Sequence, residues 1–277
     1  MNLTELWTRP RDRRPTVHAI TNPVTVNDVA NIILAACGAP TMAQDEREVE
    51  EIQALSDALM LNLGAVRAQE AMLRAGRRAN ALGHPVVLDP VGAGATFLRG
   101  ELGRRILHDV RCAVIRGNAS EMRALALGSE TTRGVEASEV DKVTEDTLDA
   151  ALDMLRAFSE KTGAVAVLTG EIDLVVQGDR AAVVRGGSPL MARITGAGCM
   201  LTALIAALCG ASPDDPFGAA VTAAAVMDVC GELAGKRVCE MQEGTASFRT
   251  RLIDAVSCLT PEILARNARV ELRQVGA

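Results

Sequence analysis

Hydrophobic positions follow two rhythms from residue 16 onward. Short, nearly unbroken apolar runs at 16–20, 58–63, 85–88, 110–115 and 164–168 read as strands covered on both faces, the pattern of a parallel sheet. Between them, apolar residues recur at helical spacing. Val29, Ile32, Ile33 and Ala36 form the inner face of a helix over about 26–37, stopped by Gly38-Ala39-Pro40. Val49, Ile52 and Leu55 face inward on an acidic helix led by Asp45 and Glu46. An Ala-, Arg- and Met-rich helix covers about 66–82, and Leu148, Leu152, Leu155 and Phe158 mark another. Segments 172–176 and 181–185, joined through Gln177-Gly178-Asp179, predict a hairpin. Residues 129–142 are polar and acidic without an apolar period and read as a surface excursion; after 195 the chain reads as almost all helix. Strand and helix alternating without a linker predict a single layered α/β domain, doubly wound, with a mainly parallel central sheet, helices on both faces and right-handed crossovers. Residues 1–14 read as a polar N-terminal extension.

One stretch departs from both rhythms. Thr195-Gly196-Ala197-Gly198-Cys199 is a glycine-rich turn that opens a helix whose Leu201, Leu204, Ile205 and Leu208 recur with no charge before Asp214. Two glycines before a buried helix allow successive N–H groups to converge, and the helix dipole reinforces an anion-binding concavity there. Cys199 falls in the first turn, where the dipole is expected to lower a thiol pKa. A close-packed loop with no ligand fits the same residues.

Composition narrows the class. Nearly half the residues are apolar, yet there is no Tyr, one Trp and four Phe, so the core is built from Ala, Val, Leu, Ile and Met. That suits parallel strands under helices better than a β-sandwich. A net charge of −6 with no basic stripe argues against nucleic acid or an anionic membrane as partner. The seven cysteines are odd in number, widely spaced and without a C-x-x-C pair, which points to reduced thiols in a cytoplasmic protein. No secretory signal is evident at the N-terminus, and the apolar runs at 197–211 and 216–227 are shorter than the roughly 20 residues a bilayer requires.

Several strand ends carry polar or glycine-rich chemistry: Thr21-Asn22, Asn62-Gly64, Asp89, Arg116-Asn118-Glu121 and Thr169-Glu171. In a parallel sheet these lie on one edge with the 195–199 turn, and ligands bind there. An anion cradle, two carboxylates and an arginine on one rim suit phosphoryl transfer. Simpler roles are open for two of them, Asp89 as an Asx turn before Pro90 and Asn118 with Glu121 as a capping box. There is no G-x-x-x-x-G-K-[ST], and neither Gly92-x-Gly94 nor Gly196-x-Gly198 has the third glycine of a dinucleotide site.

The motifs His18-Ala19-Ile20-Thr21-Asn22, Gly38-Ala39-Pro40-Thr41-Met42, Leu88-Asp89-Pro90-Val91-Gly92-Ala93-Gly94-Ala95, Arg116-Gly117-Asn118-Ala119-Ser120-Glu121, Leu168-Thr169-Gly170-Glu171 and Thr195-Gly196-Ala197-Gly198-Cys199 occur in an order and spacing that resemble the hydroxyethylthiazole kinase family, over roughly residues 15–260. The resemblance implies a ribokinase-like fold and transfer of the ATP γ-phosphate, with Mg²⁺, to the primary hydroxyl of 4-methyl-5-(2-hydroxyethyl)thiazole in thiamine biosynthesis or salvage. It also implies roles for residues. Met42, Gly196 and Asn22 match substrate contacts. Arg116 and Thr169 match ATP-binding positions, with Thr195 and Gly198 beside them in the cradle. Asp89 and Glu121 match acidic positions near Mg²⁺, and Cys199 stands where most ribokinase-like kinases keep an Asp base. Family members resemble homotrimers whose thiazole pocket is shared between subunits, so the first helix and Met42 are expected to serve a neighbour's site.

Two departures stand out: Gly244-Thr245-Ala246-Ser247-Phe248 replaces a Gly-Pro-Gly-Ser/Thr-Phe start to the last long helix, and Pro23 follows Asn22 where a second asparagine is common. Competing readings are a ribokinase-like kinase of another small heteroaromatic alcohol of hydroxymethylpyrimidine or pyridoxal type, an ATP/ADP-dependent NAD(P)H-hydrate dehydratase, and a non-enzymatic nucleotide-binding scaffold.

Overall fold

The computed structural model describes residues 1–127 and 143–276. The excursion expected at 129–142 lies outside the described residues. The described strands form one sheet, β1 (Thr16–Ile20), β2 (Ala39–Thr41), β3 (Ala58–Asn62), β4 (Val86–Asp89), β5 (Val114–Asn118), β6 (Val165–Thr169), β7 (Ile172–Gln177), β8 (Arg180–Arg185) and β9 (Arg269–Gln274). Their spatial order is β2-β1-β3-β4-β5-β6-β7-β8-β9. The first six run parallel, and β7, β8 and β9 each add antiparallel to the strand before.

The apolar runs become central strands because successive side chains enter opposite cores. Met60, Val87, Val114 and Val165 join one cluster; Leu61, Leu88, Ile115 and Ala166 join the other. The first cluster is closed by α1 (Leu3–Arg13), α2 (Val26–Ala35), α8 (Ala197–Ala211), α9 (Pro216–Glu240), α10 (Thr245–Cys258) and α11 (Pro261–Asn267). Helices on the second face include α4 (Gln69–Leu82), α5 (Phe97–Asp109), α6 (Ala119–Leu127) and α7 (Leu148–Thr162), with the short α3 (Val49–Ala54) beside α4.

Four sequence expectations change. Residues 3–13 form a helix rather than a polar extension, with Asn2 capping it and Leu6, Trp7 and Pro10 buried; Trp7 Nε1 donates to the Leu259 carbonyl at 3.0 Å. The acidic helix is shorter than expected: it ends at Ala54, so Leu55 lies beyond it and is 78% exposed while Gln53 is buried. The run at 110–115 becomes a strand only from Val114, because Val110 caps α5 and packs into the core from there. The helical part after 195 ends in a further strand, β9, whose alternating charges mark an exposed edge. Helix α9 runs on to Glu240 and is long and apolar enough by composition to cross a bilayer, but 89% of that stretch is buried within the fold.

Candidate active site

Parallel strands β1, β3, β4, β5 and β6 end on one rim, and α8 begins there. Gly196 precedes α8 with φ +91°, a left-handed value that favours glycine, and no side chain caps the helix. The first intrahelical bond is Met200 N–H to the Gly196 carbonyl at 2.8 Å, so the N–H groups of Ala197, Gly198 and Cys199 precede the ladder. The turn is accessible: Thr195 is exposed and Gly196 to Gly198 are half-buried.

Arg116, from the end of β5, faces this turn. A Cβ on Gly198 would lie 2.3 Å from its Nη1, so absence of a side chain there admits the guanidinium. Arg116 Nη2 donates to Thr169 Oγ1 at the end of β6, and Nη1 lies 4.0 Å from Asp89 Oδ1. Asp89 is fully buried, and Oδ1 has no hydrogen-bond partner. Burial pushes its carboxyl up to about 6; Arg116 opposes the rise and Glu121 adds to it.

The capping box is real, since Glu121 N–H donates to Asn118 Oδ1 and Asn118 N–H to Glu121 Oε2, each at 2.9 Å. Glu121 does more than cap. Its Oε1 accepts from Gly92 N–H at 2.9 Å and so straps the loop after Asp89 to the start of α6.

Cys199 is buried among β-strand ends. Asn62 Nδ2 donates to its sulfur at 3.2 Å and to Asp89 Oδ2 at 2.9 Å. Asn22 Nδ2 lies 3.8 Å from the same sulfur and donates to Thr25 Oγ1 at 2.9 Å. The expected low thiol pKa is reversed. Desolvation, with the charge of Asp89, pushes Cys199 up to about 12 and outweighs the helix terminus. The thiol therefore keeps its proton at neutral pH.

Seven of the expected residues thus converge: Asn22, Asp89, Arg116, Glu121, Thr169, Gly198 and Cys199. Gly196 backs onto Thr25, whose Cγ2 would be 2.9 Å from an added Cβ. Thr195, exposed at the turn, also lines a cavity of about 340 Å³ with Asn27, Asp28, Arg193 and Arg249. Met42 lies one residue past the edge strand β2, two strands out from Asn62, half-buried against the α2–α8 core. The chain after it is held by His18, whose Nε2 is 3.0 Å from the Ala43 carbonyl, and by Gln44, which donates to the Thr21 carbonyl at 3.1 Å.

Neither departure disturbs the rim. Gly244 still starts α10, with Phe248 buried, and Arg249 ties that helix to Asp28 on α2 at 2.6 Å. Asn22 Oδ1 accepts from Val24 N–H and Thr25 N–H, bridging Pro23 in an Asx turn. In the sequence Asn62 stands out only as a strand end, and Thr25 does not stand out at all. Each is a small polar residue at the edge of an apolar run, a signal that does not say which side chains meet.

A glycine turn into a buried helix, set at the carboxyl edge of a mainly parallel sheet beside buried carboxylates and an arginine, is the architecture of ribokinase-like kinases. The fold is shared with the Staphylococcus aureus pyridoxal kinase solved with pyridoxal (TM-score 0.56, 17% identity, 79% of this chain and 88% of that one). Closer relatives narrow the class. Residues 8–262 match the hydroxyethylthiazole kinase family, and the chain belongs to that family. It is similar to the hydroxyethylthiazole kinase of Clostridium acetobutylicum (46% identity, 97% of this chain and 99% of the relative) and to that of Desulfovibrio desulfuricans (47% identity, 96% and 95%). The solved hydroxyethylthiazole kinase protein of Pyrococcus horikoshii superposes with TM-score 0.84 at 32% identity, covering 98% of this chain and 99% of that one.

Proposed function

We propose that this protein transfers the γ-phosphoryl group of ATP to the primary hydroxyl of 4-methyl-5-(2-hydroxyethyl)thiazole, in thiamine biosynthesis or salvage. The names of its full-length relatives support the acceptor. One observation carries the chemistry: Arg116, the unpartnered oxygen of Asp89 and the thiol of Cys199 surround the uncapped start of α8. Thr195 and Gly198, with the amides of the turn, would bind the phosphates. Arg116, steadied by Thr169, would screen their charge, and Asn22, Gly196 and Met42 would contact the thiazole.

Mg²⁺ fits the donors present. Asp89 Oδ1 faces Arg116 without a hydrogen bond, and each Glu121 oxygen accepts a single N–H, so both carboxylates keep free lone pairs. Among the described residues no trio of His, Cys, Asp or Glu encloses a metal. The donors that support Mg²⁺ are the two carboxylates, enough for an ion bound through one or two carboxylates, water and phosphate. When bound it would neutralise phosphate charge. Asp89 and Glu121 would hold it, directly or through water.

Cys199 serves as an assisting group rather than a strong base, because its thiol resists ionisation. Phosphoryl transfer tolerates this: in most analyses its transition state is loose, and positioning and charge stabilisation contribute more than early deprotonation of the alcohol.

The reading extends to a single kinase domain spanning the chain, a homotrimer sharing the acceptor pocket, and a cytoplasmic setting. The exposed Val24 and Leu34 on and beside α2, with Met42 at the sheet edge, support a neighbouring subunit. The free thiols support a reducing compartment. A coupled ADP-release assay tests the core claim. ADP release should require both the thiazole alcohol and Mg²⁺. Release with hydroxymethylpyrimidine or pyridoxal alone, or dehydration of hydrated NADPH, would overturn the substrate.

A further inference from the structure

Asn62 is fully buried at the end of β3, and all of its hydrogen-bonding capacity is directed. Its Nδ2 donates to Asp89 Oδ2 at 2.9 Å and to Cys199 Sγ at 3.2 Å. Its Oδ1 accepts from Gly64 N–H at 2.9 Å and from Asn22 Nδ2 at 3.3 Å. Four partners come from four places: the ends of β1 and β4, the turn after β3, and the first turn of α8. Rotating the amide by half a turn would set nitrogen against the Gly64 N–H and oxygen against the Asp89 carboxylate. Neither contact is tolerable in a buried site, so the orientation is fixed.

Aspartate has nearly the same volume as asparagine and leucine the same branching at Cγ with greater bulk, but ionised aspartate donates nothing and leucine neither donates nor accepts. We propose that Asn62 is a positioning residue for phosphoryl transfer. Its two donated hydrogen bonds hold the Asp89 carboxylate and the Cys199 sulfur in one orientation relative to the start of α8. This role rests on the kinase reading above. It assigns to the middle of the sheet a residue that needs no contact with either substrate.

The test is a cycle of Asn62→Leu, Cys199→Ala and the double variant, with Asn62→Asp measured alongside because it keeps acceptors for Gly64 and Asn22. Turnover, the KM for ATP and the thermal midpoint are read for each. Asn62→Leu should lower kcat by about tenfold or more, the loss expected when a hydrogen bond to a charged group is removed, with the KM for ATP nearly unchanged. Asn62→Asp should lower kcat in the same way despite keeping its acceptors. In the Cys199→Ala background the further loss should shrink, since one of the two groups being positioned is already gone.

A kcat close to the wild-type value for whichever variant folds, or an undiminished loss in the double variant, overturns the role. A loss that only tracks the fall in thermal midpoint does so too. The wild-type protein separates the two levels of failure. An inactive wild type refutes the kinase reading itself; an active wild type with unaffected variants refutes only the role of Asn62.

Discussion

Replacing Gly198 by alanine should separate activity from stability. Gly198 lies in the first turn of α8 without a positive φ, so alanine suits its backbone and should stabilise the helix by up to about 1 kcal/mol. The cost falls elsewhere. An added Cβ would sit 2.3 Å from Arg116 Nη1 and 2.9 Å from Nη2, whereas ordinary contact begins at 3.4 Å. The guanidinium must therefore withdraw by about 1 Å, the scale of misplacement that costs about a hundredfold in rate when it affects reacting groups. A hydrogen bond to a charged group is worth about 1.5–3 kcal/mol, which corresponds to roughly 10- to 150-fold.

Gly198→Ala is thus expected to reduce kcat/KM for ATP by one to two orders of magnitude while its calorimetric midpoint holds or rises. The same substitution in an Arg116→Ala background should cost little more. Coupled ADP release and scanning calorimetry on the four proteins decide the matter. Full activity in the alanine variant, or a loss that persists undiminished without Arg116, would refute the claim that this glycine makes room for the arginine.

Three further outcomes follow from the geometry. Cys199→Ala should lower turnover by no more than the roughly 10²–10⁴-fold typical of a lost general base, and should do so mainly in kcat; unchanged turnover would make the thiol a space-filler. Asp89→Asn should abolish most activity yet stabilise the fold near pH 7. The folded state holds the Asp89 proton more tightly than the unfolded chain, so this group's contribution is full below about pH 4 and is lost as pH rises through about 6. The two-pH interval corresponds to on the order of 3 kcal/mol, and denaturant titrations at pH 5 and pH 8 should show the variant losing less stability with rising pH than the wild type. Trp7→Ala should cost about 3–5 kcal/mol in chemical denaturation, because it empties a fully buried site and leaves the Leu259 carbonyl only its bond from Arg11; a cost under 1 kcal/mol would return α1 to the status of an appendage.

The parallel strands were legible because burial on both faces leaves an unbroken apolar run, and α2 was legible because its inner face recurs at 3.6-residue spacing. Edge elements were not. β2 is three residues containing a proline, and β9 alternates apolar with charged residues, so neither carries the signal of a buried strand. Helix α1 was hidden by its arginines, which leave Leu6 and Trp7 as a narrow stripe. The rim itself followed from strand polarity alone. Its internal wiring did not, since the bond from Asn62 to Cys199 joins residues 137 positions apart. The pKa of Cys199 was misjudged for a similar reason: the helix terminus is visible in sequence, but the desolvation that outweighs it depends on packing.

The indole of Trp7 sits at the opposite end of the molecule from the rim. Pro15 lies against Gly210, near the close of α8, and Leu6 against Gly218, near the opening of α9. With no tyrosine in the chain, ultraviolet emission comes almost wholly from this one ring. It is separated from the glycine turn by the length of α8, 15 residues or about 22 Å. Spectral shifts on titrating nucleotide would have to be relayed along that rod, whereas undocking of the first helix should register immediately. The protein carries its own thermometer for the fold, placed where catalysis should leave it dark.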